Sequence, residues 1–328
     1  NLSGQQHKLA TTLSSPQFNL QPVTLTAIEP LTRIKDLGPL KLTASLSGSG
    51  DKITLQNLDL NIGREQLIAV GLKGKIKDLL ALSGLGLDFS LRGNDLAGMG
   101  TLGGPDLPFP GPFNVSGRFV DPAPENYKID PFQAVWGDND GQGWIAIDLS
   151  KDRPDLSAEL YSQKLDLRPL FEKPAEKSPA GSAAEVSHGV KDKFFSSKPF
   201  ELEGLKVMDA DINFSGKQIL LPALALADNR IRIELDNGNL QVNPFSFTAG
   251  GGKADVRIDL RQGSTPPALA VATTVDQLDV GAMLQELGYS RSLEGMLDAR
   301  INLSGQGVSP AELMAGTNGF VIIAMVDG

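Results

Sequence analysis

Apolar side chains recur at every second position along most of the chain, the spacing expected where one face of a β-strand is buried and the other meets water. Leu40, Leu42, Ala44 and Leu46 share one parity, as do Leu85, Leu87, Phe89 and Leu91, then Phe113, Val115 and Phe119, then Phe132, Ala134 and Trp136. The pattern continues through Ile145, Ile147 and Leu149; Ala210, Ile212 and Phe214; Ile231, Ile233 and Leu235; Phe245, Phe247 and Ala249. It closes with Ala254, Val256, Ile258 and Leu260; Leu269, Val271 and Val275; and Leu297, Ala299, Ile301 and Leu303. Short Gly, Asn and Asp stretches separate these runs, such as Asp236-Asn237-Gly238-Asn239 and Gly250-Gly251-Gly252, and read as hairpin turns. The spacing therefore predicts a mainly β protein, a long twisted antiparallel sheet of repeated hairpins. Helices are few: Val280 to Leu287, Pro310 to Ala315 with Ser309 as N-cap and Glu312 at capping-box spacing, and a weak amphipathic stretch from Val186 to Phe195. The apolar run Phe320 to Val326 is far shorter than the ~20 residues that cross a bilayer and reads as a strand cut off from its sequel.

Two stretches interrupt the alternation. Pro105, Pro108, Pro110 and Pro112 break the ladder between Gly98 and Pro112, and a Ser/Ala/Gly-rich segment with Pro174 and Pro179 follows Glu172. The expected organisation is a β-repeat unit over 1–97, a second over 98–171, a linker or helical excursion over 172–199, and one or more β-repeat units over 200–328. The repeat is visible in landmarks. Asp130-Pro131-Phe132, Ile147-Asp148-Leu149, Pro154-Asp155-Leu156 and Leu165-Asp166-Leu167 return as Asn243-Pro244-Phe245, Ile258-Asp259-Leu260, Pro267-Ala268-Leu269 and Leu278-Asp279-Val280. A fainter copy starts at Gly38-Pro39-Leu40, matching Gly111-Pro112-Phe113, and ends at Asn94-Asp95-Leu96. Units that each expose an apolar face must stack to bury it, so an elongated molecule is expected.

Composition changes the picture mainly by exclusion. Thirty Lys and Arg against 39 Asp and Glu give a net charge of −9, and no basic run marks a nucleic-acid surface. The chain has no cysteine, so disulfides, thiolate metal sites and cysteine nucleophiles drop out. No targeting segment is visible at Asn1, and the sequence reads as part of something longer.

Each candidate motif reads more simply as structure. Gly98-Met99-Gly100-Thr101-Leu102-Gly103 spells a dinucleotide fingerprint, yet Gly104-Pro105 follows where a helix is required. Asp138-Asn139-Asp140-Gly141 begins like a calcium loop without the Glu that should complete it, and its repeat counterpart is Gly250-Gly251-Gly252. His7 and His188 are the only histidines and lie in segments unsuited to a catalytic triad. Asp209 and Asp211 could mimic a glycosidase pair but alternate with Ala210, Ile212 and Phe214, as on the wet side of a strand. Trp136 and Trp144 flank one turn, where they could stack on a sugar or simply join a core. No catalytic, metal or cofactor residue emerges.

The strings Gly111-Pro112-Phe113-Asn114-Val115-Ser116-Gly117-Arg118, Leu165-Asp166-Leu167 and Leu278-Asp279-Val280 resemble the AsmA family. So do Phe200-Glu201-Leu202-Glu203-Gly204-Leu205-Lys206 with Phe214-Ser215-Gly216, and Leu303-Ser304-Gly305-Gln306-Gly307 with Ala311-Glu312-Leu313-Met314-Ala315-Gly316-Thr317-Asn318-Gly319. The resemblance covers most of the chain and implies a Gram-negative periplasmic protein. It further implies tethering to the inner membrane by an N-terminal helix, with the sheet curled into an apolar groove. The expected role is non-enzymatic: binding phospholipid or another acyl lipid for transport between inner and outer membrane, in outer-membrane biogenesis and homeostasis, with envelope proteins as further partners. Strand parity puts on that groove Leu42, Leu46, Leu87, Phe89, Val115, Phe119, Phe132, Trp136, Ile145, Ile147, Ile212 and Phe214. It adds Ile231, Ile233, Phe245, Phe247, Val256, Ile258, Leu269, Val271, Ile301 and Leu303. The alternative is a dry β-scaffold or partner-binding spacer whose apolar positions are ordinary core; a carbohydrate-active enzyme is a distant third.

Overall fold

The computed structural model describes residues 17–19, 23–28, 40–49, 52–64, 68–98, 107–171, 196–222, 224–286 and 294–326. The weak helix expected over Val186 to Phe195, both histidines, and all of the glycine fingerprint beyond Gly98 lie outside them. The protein is mainly β and antiparallel. The chain divides into two compact units, Asn1–Asp152 with Ser157–Tyr161, and Arg153–Leu156 with Ser162–Gly328.

In the first unit the strands are β1 (Gln17–Asn19), β2 (Val23–Ile28), β3 (Leu40–Ser49), β4 (Lys52–Arg64), β5 (Ile68–Asp78), β6 (Ser83–Gly93), β7 (Phe113–Ala123), β8 (Asn126–Trp136) and β9 (Asn139–Asp148). From β2 to β9 each pairs antiparallel with the next, and β1 pairs with the end of β3. Strand β10 (Asp155–Asp166) carries residues of both units. The second unit continues with β11 (Asp209–Leu221), β12 (Leu224–Asp236), β13 (Asn239–Ala249), β14 (Gly252–Arg261), β15 (Ala268–Asp279), β16 (Met296–Gln306) and β17 (Asn318–Val326), again a meander. Two α-helices are described, α1 (Val280–Glu286) and α2 (Pro310–Ala315), where the sequence places them.

The turns follow from their residues. Asn237-Gly238 and Gly250-Gly251 close hairpins with positive φ at both positions, the mirror-image turn that matches strand twist and that Asn and Gly tolerate. The calcium-like string is likewise a hairpin: Trp136 pairs with Asn139 across Gly137-Asp138, and the Asn139 amide donates to the Trp136 carbonyl at 3.2 Å. Ser309 caps α2 by accepting the Glu312 N–H at 3.3 Å, while the Glu312 carboxylate reaches back to the Val308 N–H at 3.0 Å, one residue beyond the expected reciprocal bond to Ser309.

The repeat holds in three dimensions. Strands β8 and β13 start at Asn126 and Asn239, β9 and β14 at Asn139 and Gly252, and β10 and β15 at Asp155 and Ala268, each pair 113 apart (239 − 126, 252 − 139, 268 − 155). A bulge between Ile129 and Phe132 recurs at the same offset between Val242 and Phe245. One landmark moves: Ile147 corresponds to Leu260 (260 − 147 = 113) rather than to Ile258, a shift of two residues that leaves the face unchanged. The repeated Leu-Asp strings mark where a strand gives way to a helical turn. Asp279 accepts the Ala282 N–H of α1 at 2.8 Å, and Asp166 accepts the Arg168 N–H at 3.1 Å at the head of a 3-10 turn.

Candidate functional site

Residues directly opposite one another on paired strands share a face, so the register decides which side chains meet. In the first unit one row runs Leu42, Leu60, Leu72, Phe89, Gly117, Phe132, Gly143 across β3 to β9. Alongside lie Leu46, Leu55, Ile76 and Leu85; Leu87, Phe119, Ile129 and Ile145; and Leu91, Val115 and Ala134. Trp136 sits opposite Phe113, with Phe109 edge-on to its ring at 6.3 Å, and Ile147 sits opposite Tyr127, whose ring stacks on Phe119 at 5.8 Å.

In the second unit one row runs Phe214, Ile231, Phe245, Val256, Thr273, Ile301, Val321. A second runs Ile212, Ile233, Val242, Ile258, Val271, Leu303, and a third joins Leu240, Leu260 and Leu269. Phe247 heads a row of smaller residues, Ala254, Val275 and Ala299. Every residue assigned by parity thus falls on the one apolar face of its unit.

That face is thinly covered. Among the residues assigned to it by parity only Leu87 is buried, and the rest are partly exposed. The buried apolar residues divide between alanines, Ala44, Ala134, Ala158, Ala249, Ala254 and Ala299, and larger side chains, Ile53, Ile76, Leu87, Phe113, Ile219, Leu226 and Val280. A packed patch lies in the second unit, where Phe214, Ile231, Phe245 and Phe247 lean on buried Ile219, Leu226 and Ala249.

Several residues of the rows break the simple alternation. In β4, Asn57 at φ 50° accompanies a bulge between Leu55 and Leu58, so Leu58 and Leu60 take the face with opposite numbering parity to Ile53 and Leu55. Ile129 against Phe132, and Val242 against Phe245, change parity in the same way. The signal in sequence is the Asp-Pro or Asn-Pro pair that stands inside each of the latter two bulges.

The opposite face is polar and internally paired. Arg232 bridges Asp211 at 3.3 Å and Glu234 at 2.6 Å, Lys217 meets Asp228 at 3.0 Å, and Lys73 meets Asp59 at 3.3 Å. The Asn61 amide and Lys73 hold Asp59 below the usual carboxylate range. The carboxylates that could mimic a glycosidase have other employment. Asp209 accepts two hydrogen bonds from Arg153, at 3.2 and 2.8 Å, and the Asn237 N–H at 2.9 Å. The two tryptophans do not converge: Trp144 falls between Gly143 and Ile145 of the apolar face and so projects to the polar side, where Glu159 accepts its N–H at 3.2 Å and Lys128 lies 4.7 Å from its ring centroid. Among the described residues no three His, Cys, Asp or Glu side chains gather, and no helix is long and apolar enough to cross a membrane.

The AsmA family model matches residues 1–328. "AsmA family protein YhjG" of Escherichia coli (strain K12) is 28% identical over 320 residues, covering 92% of this chain and 45% of its own, so the chain spans a little under half of that relative. No solved structure matches. The AsmA family is not a known enzyme family. A family model that fits the chain from end to end, with a relative aligned over nine-tenths of it, makes this protein a member of the AsmA family and supports a role tied to the bacterial envelope.

Proposed function

We propose that this is a non-enzymatic periplasmic module that binds phospholipid acyl chains along its apolar sheet face, as one section of a groove that carries lipid between inner and outer membrane. The full-length protein would be tethered to the inner membrane. The observation that carries the reading is the combination of long cross-strand apolar rows with side chains left partly exposed. A dry sandwich would bury such Leu, Ile, Val and Phe side chains against a second layer at interior density. Here, among the described residues, nearly all of the assigned side chains keep part of their surface open, and each acyl methylene laid on them would add about 0.8 kcal/mol. The packed patch around Ile219, Leu226 and Ala249 favours the dry reading locally, so acyl chains are expected on the rows away from it.

A photoreactive residue placed at Ile258 or Leu303 on the apolar face, or at Arg257 or Arg300 on the other, tests this in cells. Ultraviolet crosslinking should attach phospholipid at the first two sites and not at the second two, and native mass spectrometry of the detergent-free protein should show lipid at repeatable stoichiometry. A lipid-free protein with equal, background crosslinking on both faces would leave a dry scaffold.

A further inference from the structure

The polar face of the first unit has a hollow of about 630 Å3 floored by glycine and ringed by cations. Its floor is Gly86, whose Cα partners are Lys75 on β5 and Val120 on β7. A Cβ built on Gly86 would have as its nearest neighbours Arg118 Nη2 and Lys75 Cγ, both at 3.8 Å, so the glycine opens a space that these two side chains flank. Lys77, Gln56 and Asn57 complete the rim.

Charge gives the hollow a sign opposite to the molecule's. The chain carries −9, yet Lys75, Lys77 and Arg118 meet here with Asp88 as the one carboxylate among the lining residues. Asp88 engages Arg118 Nη1 at 3.5 Å, which leaves Nη2 on the Gly86 side. Neither lysine has a carboxylate within ion-pair distance among the described residues, unlike Lys73 two residues earlier, which meets Asp59 at 3.3 Å. A guanidinium edge, two ammonium groups and side-chain amides around an open floor are the donor set of an oxyanion site.

We propose that this hollow binds a phosphate-bearing anion, supplied by a lipid headgroup or by phosphate in solution. The site is on the face opposite the acyl-binding rows and stands or falls independently of them.

The test titrates the protein with inorganic phosphate, followed by amide chemical shifts, and in parallel with vesicles of phosphatidylglycerol in phosphatidylcholine, followed by sedimentation. Two variants separate a built site from diffuse charge. Lys75→Gln with Lys77→Gln should weaken binding about fivefold per lysine, so some 25-fold together. Gly86→Val keeps the charge and fills the floor; the open space at its Cβ lets it fold, and it should abolish binding. Phosphate and anionic vesicles both bound, with both variants impaired, assigns a headgroup; phosphate alone, with both variants impaired, assigns a soluble anion. Absence of phosphate binding, with or without vesicle binding, or binding that Gly86→Val leaves unchanged, overturns the proposal.

Discussion

Replacing Gly143 by alanine should unfold the first unit far more readily than the same change at Gly141, two residues away on the same face. Gly143 has φ 144°, a region essentially reserved for glycine, and forcing alanine there costs about 1–3 kcal/mol. The new Cβ would also lie 1.9 Å from the Glu159 carbonyl oxygen and 2.9 Å from its carbon. Real Cβ contacts essentially never fall under 3.0 Å, so the two backbones must separate by at least 1.1 Å (3.0 − 1.9). Such a separation breaks local ladder hydrogen bonds worth about 1 kcal/mol each. With two bonds lost the total comes to about 3–5 kcal/mol. At Gly141 the nearest atom is Trp136 Cζ3 at 3.7 Å, an ordinary contact, and alanine should gain up to about 0.5–1 kcal/mol by restricting the unfolded chain. Urea unfolding followed by tryptophan fluorescence reads this unit selectively, because both tryptophans of the chain, Trp136 and Trp144, belong to it. Equal midpoints for the two variants, or a Gly143→Ala protein as stable as the parent, would refute the argument. Gly74, at φ 144° with its built Cβ 2.0 Å from the Gly86 carbonyl oxygen, should behave as Gly143 does.

Other consequences are local. Ser309→Ala removes the cap of α2 and should cost about 1 kcal/mol, seen as faster hydrogen exchange at the Glu312 amide, with Ser309→Asp retaining protection. Asp279→Ala should likewise fray α1 by about 1 kcal/mol, measured at the Ala282 amide, while β14 and β15 keep their exchange rates. Arg168 holds the Asp166 carboxyl below its unfolded value, so Asp166 adds stability above the unfolded carboxylate range that is lost as pH falls through its lower folded value. Asp166→Asn should flatten the acid limb of a stability-versus-pH curve and leave its neutral slope unchanged; an unaltered acid limb would exclude Asp166 from the acid transition. Ile322→Lys should reduce concentration-dependent self-association in sedimentation at no cost in melting temperature, because Ile322 is 57% exposed and its cross-strand partner on β16 is Arg300.

Much of the fold was legible because most strands keep strict alternation. Strands β6, β14 and β16 needed only Leu85 to Leu91, Ala254 to Leu260 and Leu297 to Leu303 to fix both their existence and their apolar face. One α-helix was legible from short-range chemistry, the Ser309 cap; the Asp279 carboxylate that accepts the Ala282 N–H of the other is seen only in the structure. Bulges hid the rest. A period-two search cannot follow β4 past Asn57, where one extra residue reverses the relation between numbering and face, so Leu60 escaped although it occupies the row beside Leu42. Register across strands is equally invisible in a single strand's pattern. That is why Ile147 looked equivalent to Ile258: a two-residue slip keeps every side chain on its face, and only the hairpin at Gly137-Asp138, in register with Gly250-Gly251, distinguishes the two alignments.

The bulges also bear on what the apolar face can hold. Phe132 stands just past one bulge, flanked across the sheet by Gly117 and Gly143, so a large ring alternates with positions that have no side chain at all. In the second unit the corresponding row offers Phe245 beside Ile231 and Val256, and the glycines are gone. The two repeats therefore share a backbone and differ in the residues beside the aromatic ring, glycines in one and Ile231 and Val256 in the other. Gly143 is required by its backbone, as the clash with Glu159 shows, but Gly117 has φ outside the left-handed region and is limited by Ile129 Cγ2 and the Pro131 oxygen, each 2.8 Å from its built Cβ. At both glycines the space a side chain would need is therefore already taken by neighbouring atoms, so the sheet closes up around Phe132. If acyl chains lie across these rows, crosslinks from Phe89 or Phe132, which border Gly117, should capture more lipid than crosslinks from Ile231 or Phe245, which pack against Ile219, Leu226 and Ala249. The reverse ranking would mean that packing against the buried cluster does not decide where the ligand sits.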